Sequence, residues 1–200
     1  PSLIDGFKIS QRKIINAAIN VWKTGSEKTL KVFQLSGIVA HSQFYHHGNA
    51  SLDSAIINLA QKFKNNAPLL EEDGQFGSLR SPQPGAPRYI GTKLSTNFRL
   101  IYKDFDLLEY KEEEGEKIEP KFFLPIVPTV LINGGSGIAV GFASNILNRD
   151  IKEIIDACVK CINSKKISTI KPSLIGFTGD YIQDKDNNKK WYIRGKFEKI

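Results

Sequence analysis

Hydrophobic side chains recur at helical spacing in the first third of the chain. Residues 7–22 carry an apolar residue every three or four positions, which predicts a helix with one apolar face, closed by a turn at residues 24–26. Residues 30–39 predict a second, shorter helix. Residues 52–63 have the most regular apolar face and predict a third helix.

Short strands and turns are predicted after Pro68, at residues 74–77, 88–90 and 98–102. Three helices followed by a small sheet is the order of elements in a winged helix, a variant of the helix-turn-helix that places its last helix in the major groove of DNA. The pattern therefore predicts an α+β fold that begins with a winged-helix domain.

The second half of the chain is predicted to contain hairpins and one helix. Residues 107–118 predict a hairpin with an acidic, solvated tip, and the last thirty residues predict strands around a turn at residues 184–190. Asp150 is predicted to cap a helix between them. The buried face of that helix is predicted to consist of Ile151, Ile154, Ile155, Cys158 and Ile162.

Composition excludes several classes of protein. The chain has 200 residues, 40% hydrophobic and 24% charged, which is typical of one or two folded domains. It has no run of about 18 apolar residues and no signal-peptide pattern, so we expect an intracellular protein. Cys158 and Cys161 lack a second Cys or His pair, which excludes a cysteine-based metal site and a disulfide framework. The absence of Met, including at position 1, indicates a piece of a longer protein.

The net charge of +7 is unevenly distributed. Residues 1–100 are basic, whereas residues 109–119 are strongly acidic. This distribution predicts one surface that faces a polyanion and another that faces away from it. A generally cationic domain explains the charge equally well, so the motifs must decide between the two.

Groups suited to binding phosphate gather around the start of the third predicted helix. The His-His-Gly motif at residues 46–48 lies at its N-terminus, where free backbone N–H groups favour an anion, and Asn49 or Ser51 can serve as the N-cap. A basic run at residues 8–13 strengthens this interpretation. The alternative is that the histidines are structural and the basic run is a solvated helix face.

Residues 84–90 hold two prolines and a glycine, and they present Arg88 and Tyr89 on a rigid segment. Phosphoryl transfer to a tyrosine requires an exposed, firmly held phenol with a guanidinium beside it. The phenol, whose ordinary pKa is about 10, also needs a base, a second cation or a metal to lose its proton. A tyrosine beside an arginine is, taken alone, more often only a packed or surface aromatic.

The glycine-rich segment at residues 132–141 matches neither the P-loop nor the dinucleotide-binding spacing, which argues against ATP or NAD binding there. A tight loop that exposes Ile138 is the better interpretation, because such a side chain can enter a DNA base step as a wedge. The alternative is that Ile138 packs beneath the loop.

Together these motifs resemble the breakage-reunion region of type IIA DNA topoisomerases, the family of gyrase, topoisomerase IV, eukaryotic topoisomerase II and their viral relatives. The Tyr-His-His-Gly motif at residues 45–48 and the Tyr-Lys-Asp at residues 102–104 look closest to the phage-type medium subunit, with the eukaryotic enzyme second. The matching segments are residues 5–8 with 11–13, 45–48, 73–77, 86–90 and 124–138.

The resemblance implies a role for each matching residue. Tyr89 would be the nucleophile that forms a 5′-phosphotyrosyl bond, and Arg88 would stabilise the transition state. Ile138 would be the wedge that bends DNA. The residues that would hold DNA phosphates are Lys8, Arg12, Lys13, His46 and His47.

The resemblance also implies the architecture and the partners. A winged-helix domain would cover residues 1–121, and an incomplete α/β tower domain would cover residues 122–200. The protein would act on double-stranded DNA as a homodimer, without a membrane partner. Mg²⁺ and ATP would be bound by TOPRIM and ATPase regions or subunits outside this chain. We expect it in the cytoplasm with the nucleoid, in the host cytoplasm for a phage enzyme, or in the nucleus of a eukaryote.

Two interpretations without catalysis stay open at this point. A winged-helix regulator would use Tyr89 only to pack or to touch the DNA backbone. A DNA-bending protein would depend on Ile138 alone.

Overall fold

The computed structural model describes residues 1–23, 25 and 28–198. Of the predicted turn at residues 24–26, Thr24 and Ser26 lie outside the described residues. The N-terminal elements, in chain order, are α1 (Ile9–Val21), β1 (Leu30–Lys31), α2 (Val32–Ser42), α3 (Asn49–Ala60), β2 (Leu70–Asp73) and β3 (Gly91–Leu94).

These elements form a winged helix, as predicted. The three strands make an antiparallel sheet in the order β1-β3-β2, with Lys31 opposite Gly91 and Leu70 opposite Leu94. Helices α1, α2 and α3 pack on one another and bury their apolar faces against this sheet. The wing is the segment between β2 and β3, residues 74–90, and it carries the Arg-Tyr pair.

The remaining elements are mostly hairpins. Strands β4 and β5 pair with each other, as do β6 with β7 and β8 with β9, so the two hairpins predicted at residues 107–118 and around residues 184–190 are confirmed. The elements are α4 (Thr96–Ile101), a short 3₁₀ helix (Phe105–Leu107), β4 (Tyr110–Glu113), β5 (Glu116–Pro120), α5 (Thr129–Ile132), β6 (Gly135–Ala139), β7 (Phe142–Ile146), α6 (Ile151–Ile162), β8 (Asp180–Gln183) and β9 (Trp191–Arg194).

Three local predictions were wrong. The strand predicted at residues 98–102 is helix α4, because the Ser95 hydroxyl accepts a hydrogen bond from the Phe98 amide and starts a helical turn. The N-cap of α3 is Gly48, one residue before the predicted candidate Asn49 and three before the other, Ser51. The glycine-rich segment is strand β6 of a hairpin and not a loop, because its backbone pairs with β7.

The buried face predicted for α6 is only partly buried. The Asp150 cap is confirmed, since its carboxylate accepts hydrogen bonds from the Lys152 and Glu153 amides. Ile154 lies in the core, whereas Ile155 and Ile162 are exposed, because only one side of α6 packs against the rest of the fold. No helix among the described residues is long and apolar enough to cross a membrane.

Asp5 joins distant segments at the centre of the fold. Its buried carboxylate accepts hydrogen bonds from the Arg12 guanidinium and from the amides of Phe7 and Phe123. Its backbone carbonyl accepts from the hydroxyls of Tyr102 and Thr129. Residues just beyond position 121 are therefore packed against the N-terminal core, and the domain boundary at residues 121 and 122 stays a prediction.

Candidate DNA-cleavage site

Tyr89 lies in an exposed turn at the end of the wing. The turn covers residues 87–89 and is closed by a hydrogen bond from the Tyr89 amide to the Ala86 carbonyl, 2.9 Å long. The next residue, Ile90, is buried in the core, whereas the Tyr89 side chain is 67% exposed. The core therefore fixes the backbone of the turn while the phenol projects into solvent.

The rest of the wing is also held in place. The Gly85 amide donates to the Gln75 carbonyl at 2.8 Å, and the buried Gln61 side chain donates to the Phe76 carbonyl at 2.7 Å. Gly77 has a φ of +89°, and a Cβ there would lie only 2.7 Å from the Pro82 carbonyl oxygen, so the bend requires glycine. These contacts make the approach to Tyr89 rigid, as the prolines and glycines predicted.

Arg88 lies against the phenol. Its guanidinium carbon is 5.1 Å from the centroid of the Tyr89 ring, which is a cation–π contact. The Tyr89 hydroxyl has no hydrogen-bond partner among the described residues, so it is free to approach a substrate. By contrast, Tyr102 is fully buried, and burial raises the pKa of its phenol well above the ordinary value.

The sequence did not point to Lys31, which contacts the same turn. Its ammonium group donates a hydrogen bond to the Tyr89 carbonyl at 2.9 Å, although the two residues are 58 positions apart. The only sequence signal was that Lys31 directly precedes α2, and this does not indicate which loop that helix faces.

A second group of predicted residues lines one groove. Lys8, His46 and His47 surround it, together with Tyr45 and Glu113. His46 Nε2 is 3.2 Å from a Glu113 carboxylate oxygen, and the His47 ring packs edge-on against Tyr45 at 5.2 Å between centroids. Both histidines and Lys8 are exposed. Lys13 also lines this groove, so the structure brings together four of the five residues predicted to hold phosphates.

Arg12 and Lys13 are largely buried, unlike Lys8 and the two histidines. Arg12 is 5% exposed and makes two hydrogen bonds to Asp5, of 2.8 and 3.1 Å. Lys13 pairs with Glu119 at 2.9 Å and donates to the Gln43 carbonyl. A buried cation without its partner is unfavourable, so both ion pairs stabilise the fold, and contact of either side chain with phosphate stays a prediction.

The Glu119 carboxylate forms ion pairs with both Lys13 and Lys111, and each lysine Nζ lies 2.9 Å from a carboxylate oxygen. Burial favours the neutral carboxyl, but the ion pairs with the two lysines outweigh it and lower the pKa of Glu119 below its ordinary value. This carboxylate anchors β5 to α1 and thereby holds the acidic hairpin beside the groove.

Ile138 lies near the tip of the β6–β7 hairpin and is 93% exposed. The exposure contradicts the alternative in which it packs beneath the backbone. Val140 and Phe142 at the same tip are also exposed. Gly134 begins the hairpin with a φ of +67°, and a Cβ there would clash with the Ile146 carbonyl.

These three groups stay separate within one chain. Among the described residues, no hydrogen bond, ion pair or ring contact joins the Tyr89 turn, the groove of Lys8 and the tip of Ile138. No group of three or more His, Cys, Asp and Glu side chains in the described part of the chain is arranged to hold a metal ion.

Comparisons with known proteins agree with this geometry. Residues 1–199 match the family model for the A subunit of DNA gyrase/topoisomerase IV. The fold is similar to the crystal structure of the Plasmodium falciparum topoisomerase II DNA-binding, cleavage and re-ligation domain, with a TM-score of 0.86 and 39% identity. That match covers 92% of this chain and 26% of the other.

Similar curated proteins are eukaryotic. The chain is 41% identical to DNA topoisomerase 2 of Plasmodium falciparum over 90% of its length, 43% identical to that of Drosophila melanogaster over 92%, and 40% identical to human DNA topoisomerase 2-alpha over 90%. It spans only 12 to 13% of the length of these relatives. They support the eukaryotic resemblance and not specifically the phage-type medium subunit, which the short motifs favoured. The chain therefore belongs to the type IIA DNA topoisomerase family and corresponds to its breakage-reunion region.

Proposed function

We propose that this chain carries the nucleophile of a type II DNA topoisomerase, which cuts one duplex transiently so that another can pass through. The observation that supports this most directly is the exposed Tyr89 phenol on a rigid turn with the Arg88 guanidinium beside it. A winged-helix regulator has no need for such a pair, because backbone contacts require neither a rigid phenol nor an adjacent arginine.

In the proposed reaction the Tyr89 hydroxyl oxygen attacks a backbone phosphorus. A bond forms between this oxygen and the 5′ phosphate, the bond to the 3′ oxygen breaks, the phenol loses its proton and the 3′ oxygen gains one. Arg88 stabilises the negative charge that develops on the phosphate oxygens. The reverse reaction reseals the strand, because the covalent bond conserves the energy of the phosphodiester.

Lys8, His46 and His47 are proposed to hold phosphates next to the cut, since all three are exposed on one groove. Ile138 is proposed to enter a base step and bend the duplex. Its exposure at the tip of a hairpin supports this role, because burying an apolar side chain between bases offsets part of the cost of unstacking.

The metal ion and the ATP that the reaction cycle needs are proposed to be bound outside these 200 residues. The carboxylates in the described part of the chain are not grouped to hold a metal ion. Mg²⁺ and ATP are proposed to bind to TOPRIM and ATPase regions or subunits. Two copies of the chain, each with one Tyr89, are proposed to cut the two strands as a homodimer. The reaction is proposed to take place in the nucleus.

The experiment is a covalent-trapping assay on the complete enzyme with wild-type chain and with Tyr89→Phe. Quenching with denaturant should trap a protein–DNA adduct for the wild type and none for the variant, while both bind duplex DNA equally. The 200-residue chain alone should bind DNA in a salt-dependent way and should not cleave it. DNA binding by the complete enzyme without any adduct would favour the winged-helix regulator instead.

A further inference from the structure

The first turn of α2 is aimed at the Tyr89 turn. The Val32 amide donates to the Ile90 carbonyl at 3.0 Å, and the Phe33 amide donates to the Pro87 carbonyl at 3.2 Å. The Lys31 ammonium donates to the Tyr89 carbonyl at 2.9 Å. Three consecutive residues thus bind three carbonyls of the segment that contains the proposed nucleophile.

These contacts provide hydrogen-bond partners both for the start of α2 and for the Tyr89 turn. The first backbone N–H groups of a helix have no partner inside the helix, and here two of them are satisfied by the carbonyls on either side of Tyr89. The carbonyl of Tyr89 itself faces the same helix start and is satisfied by the Lys31 side chain. A charged donor makes a stronger hydrogen bond than a neutral one.

Lys31 is itself held on both sides. Its backbone pairs with Gly91 in the sheet, and its amide donates to the Gln34 side chain at 3.0 Å. Its position is therefore fixed relative to β3, the strand that follows the Tyr89 turn. From this fixed backbone the exposed Lys31 side chain reaches the Tyr89 carbonyl and links the sheet to the turn.

We propose that Lys31 is a positioning residue for Tyr89: by holding the Tyr89 carbonyl it fixes the direction in which the phenol leaves the turn. The inference rests on the proposed role of Tyr89 as nucleophile. A displacement of about 1 Å of a reacting group can slow a reaction by as much as ~100-fold, so the loss of one anchor should be measurable in the rate of strand cutting.

The test compares Lys31→Met and Lys31→Arg with wild type in the complete enzyme. The readouts are the single-turnover rate of adduct formation at saturating DNA and the Kd for DNA. We expect Lys31→Met to form the adduct at least ~10-fold more slowly with a Kd within about 3-fold of wild type, because positioning affects the reaction more than binding. Lys31→Arg should recover the rate to within about 3-fold, since a guanidinium can also donate to the carbonyl.

Lys160→Met on α6 is the matched control, because Lys160 is exposed and contacts none of these groups. Amide hydrogen exchange in the 200-residue chain gives an independent readout: Lys31→Met should speed exchange at Tyr89 and leave the core residue Ile15 unchanged.

Three outcomes would overturn the inference: a wild-type rate for Lys31→Met, a loss confined to DNA affinity, or a Lys31→Arg variant as slow as Lys31→Met. The proposed function fails separately, if Tyr89→Phe still forms the adduct. In that case the exchange measurement still shows whether Lys31 holds the turn.

Discussion

Glu113 Oε1 of strand β4 lies 3.2 Å from His46 Nε2, in the groove that also contains Lys8 and His47. An acidic side chain therefore sits among the groups that we propose bind DNA phosphates. The acidic hairpin, which the sequence predicted to be only a solvated turn, thus reaches the groove that we propose binds DNA through one of its glutamates.

Removing this charge should strengthen DNA binding. We expect Glu113→Gln to lower the Kd for duplex DNA by about 2- to 5-fold at ~0.1 M salt, because one repulsive exposed charge near a phosphate is worth less than about 1 kcal/mol. Glu112→Gln is the matched control, since neighbouring side chains on a strand point to opposite faces. Equal effects of the two variants in a fluorescence anisotropy titration would show that only net charge matters.

Arg88 should be needed for strand cutting more than for binding. Arg88→Lys keeps the charge but loses the planar fork, and we expect adduct formation to slow by about 100-fold or more with little change in DNA affinity. Single-turnover cleavage measured beside a binding titration separates the two effects. If cleavage falls only in proportion to affinity, Arg88 positions phosphate and does not stabilise the transition state.

Ile138 should matter for DNA bending and not for stability. Because the side chain is 93% exposed, Ile138→Ala should leave the melting temperature nearly unchanged while it reduces both DNA bending and cleavage. Ile132→Ala is the contrast, since this buried residue should lose about 2–5 kcal/mol of stability. Fluorescence energy transfer across a labelled duplex reports bending, and unchanged bending by Ile138→Ala is incompatible with the wedge.

Glu119 should make the fold sensitive to acid. Its folded-state pKa is lowered, so its contribution to stability is present at neutral pH and is lost as the pH falls from the unfolded value, about 4.3, through the folded pKa. Glu119→Gln should lower the free energy of unfolding by about 3 kcal/mol at pH 7, because Lys13 loses its buried partner. The variant should also lose less stability than the wild type between pH 5 and pH 3.

The control for this experiment is Glu109→Gln, which removes an exposed ion pair with Lys121 and should change urea denaturation little at either pH. Parallel stability curves for the wild type and Glu119→Gln across that pH range would show that the buried pairs of Glu119 do not set the acid sensitivity.

Local chemistry made the Tyr89 turn predictable from the sequence. Prolines restrict the backbone and glycines permit tight turns, and neither effect depends on distant residues, so a firmly held segment presenting Arg88 and Tyr89 could be inferred before the fold was seen. Exposure of Ile138 followed in the same way from the glycines around it, although the hairpin that carries it did not, because strand pairing depends on β7.

Contacts between residues far apart along the chain explain what the sequence did not show. Arg12 and Lys13 resemble a solvated basic run, and only the folded chain shows that Lys13 meets Glu119, 106 residues away. Lys31 was missed for the same reason, since its hydrogen bond to Tyr89 joins two segments that no sequence pattern links. The exposed face of α6 reflects packing that helical periodicity alone does not determine.

The role of Tyr89 as nucleophile can be tested by identifying the amino acid that becomes attached to DNA. The complete enzyme would be trapped on a duplex, digested with nuclease and protease, and the modified peptide sequenced by mass spectrometry. We expect a single nucleotide remnant joined through its 5′ phosphate to the hydroxyl of Tyr89. A remnant on any other residue, or a linkage through a 3′ phosphate, would contradict this role.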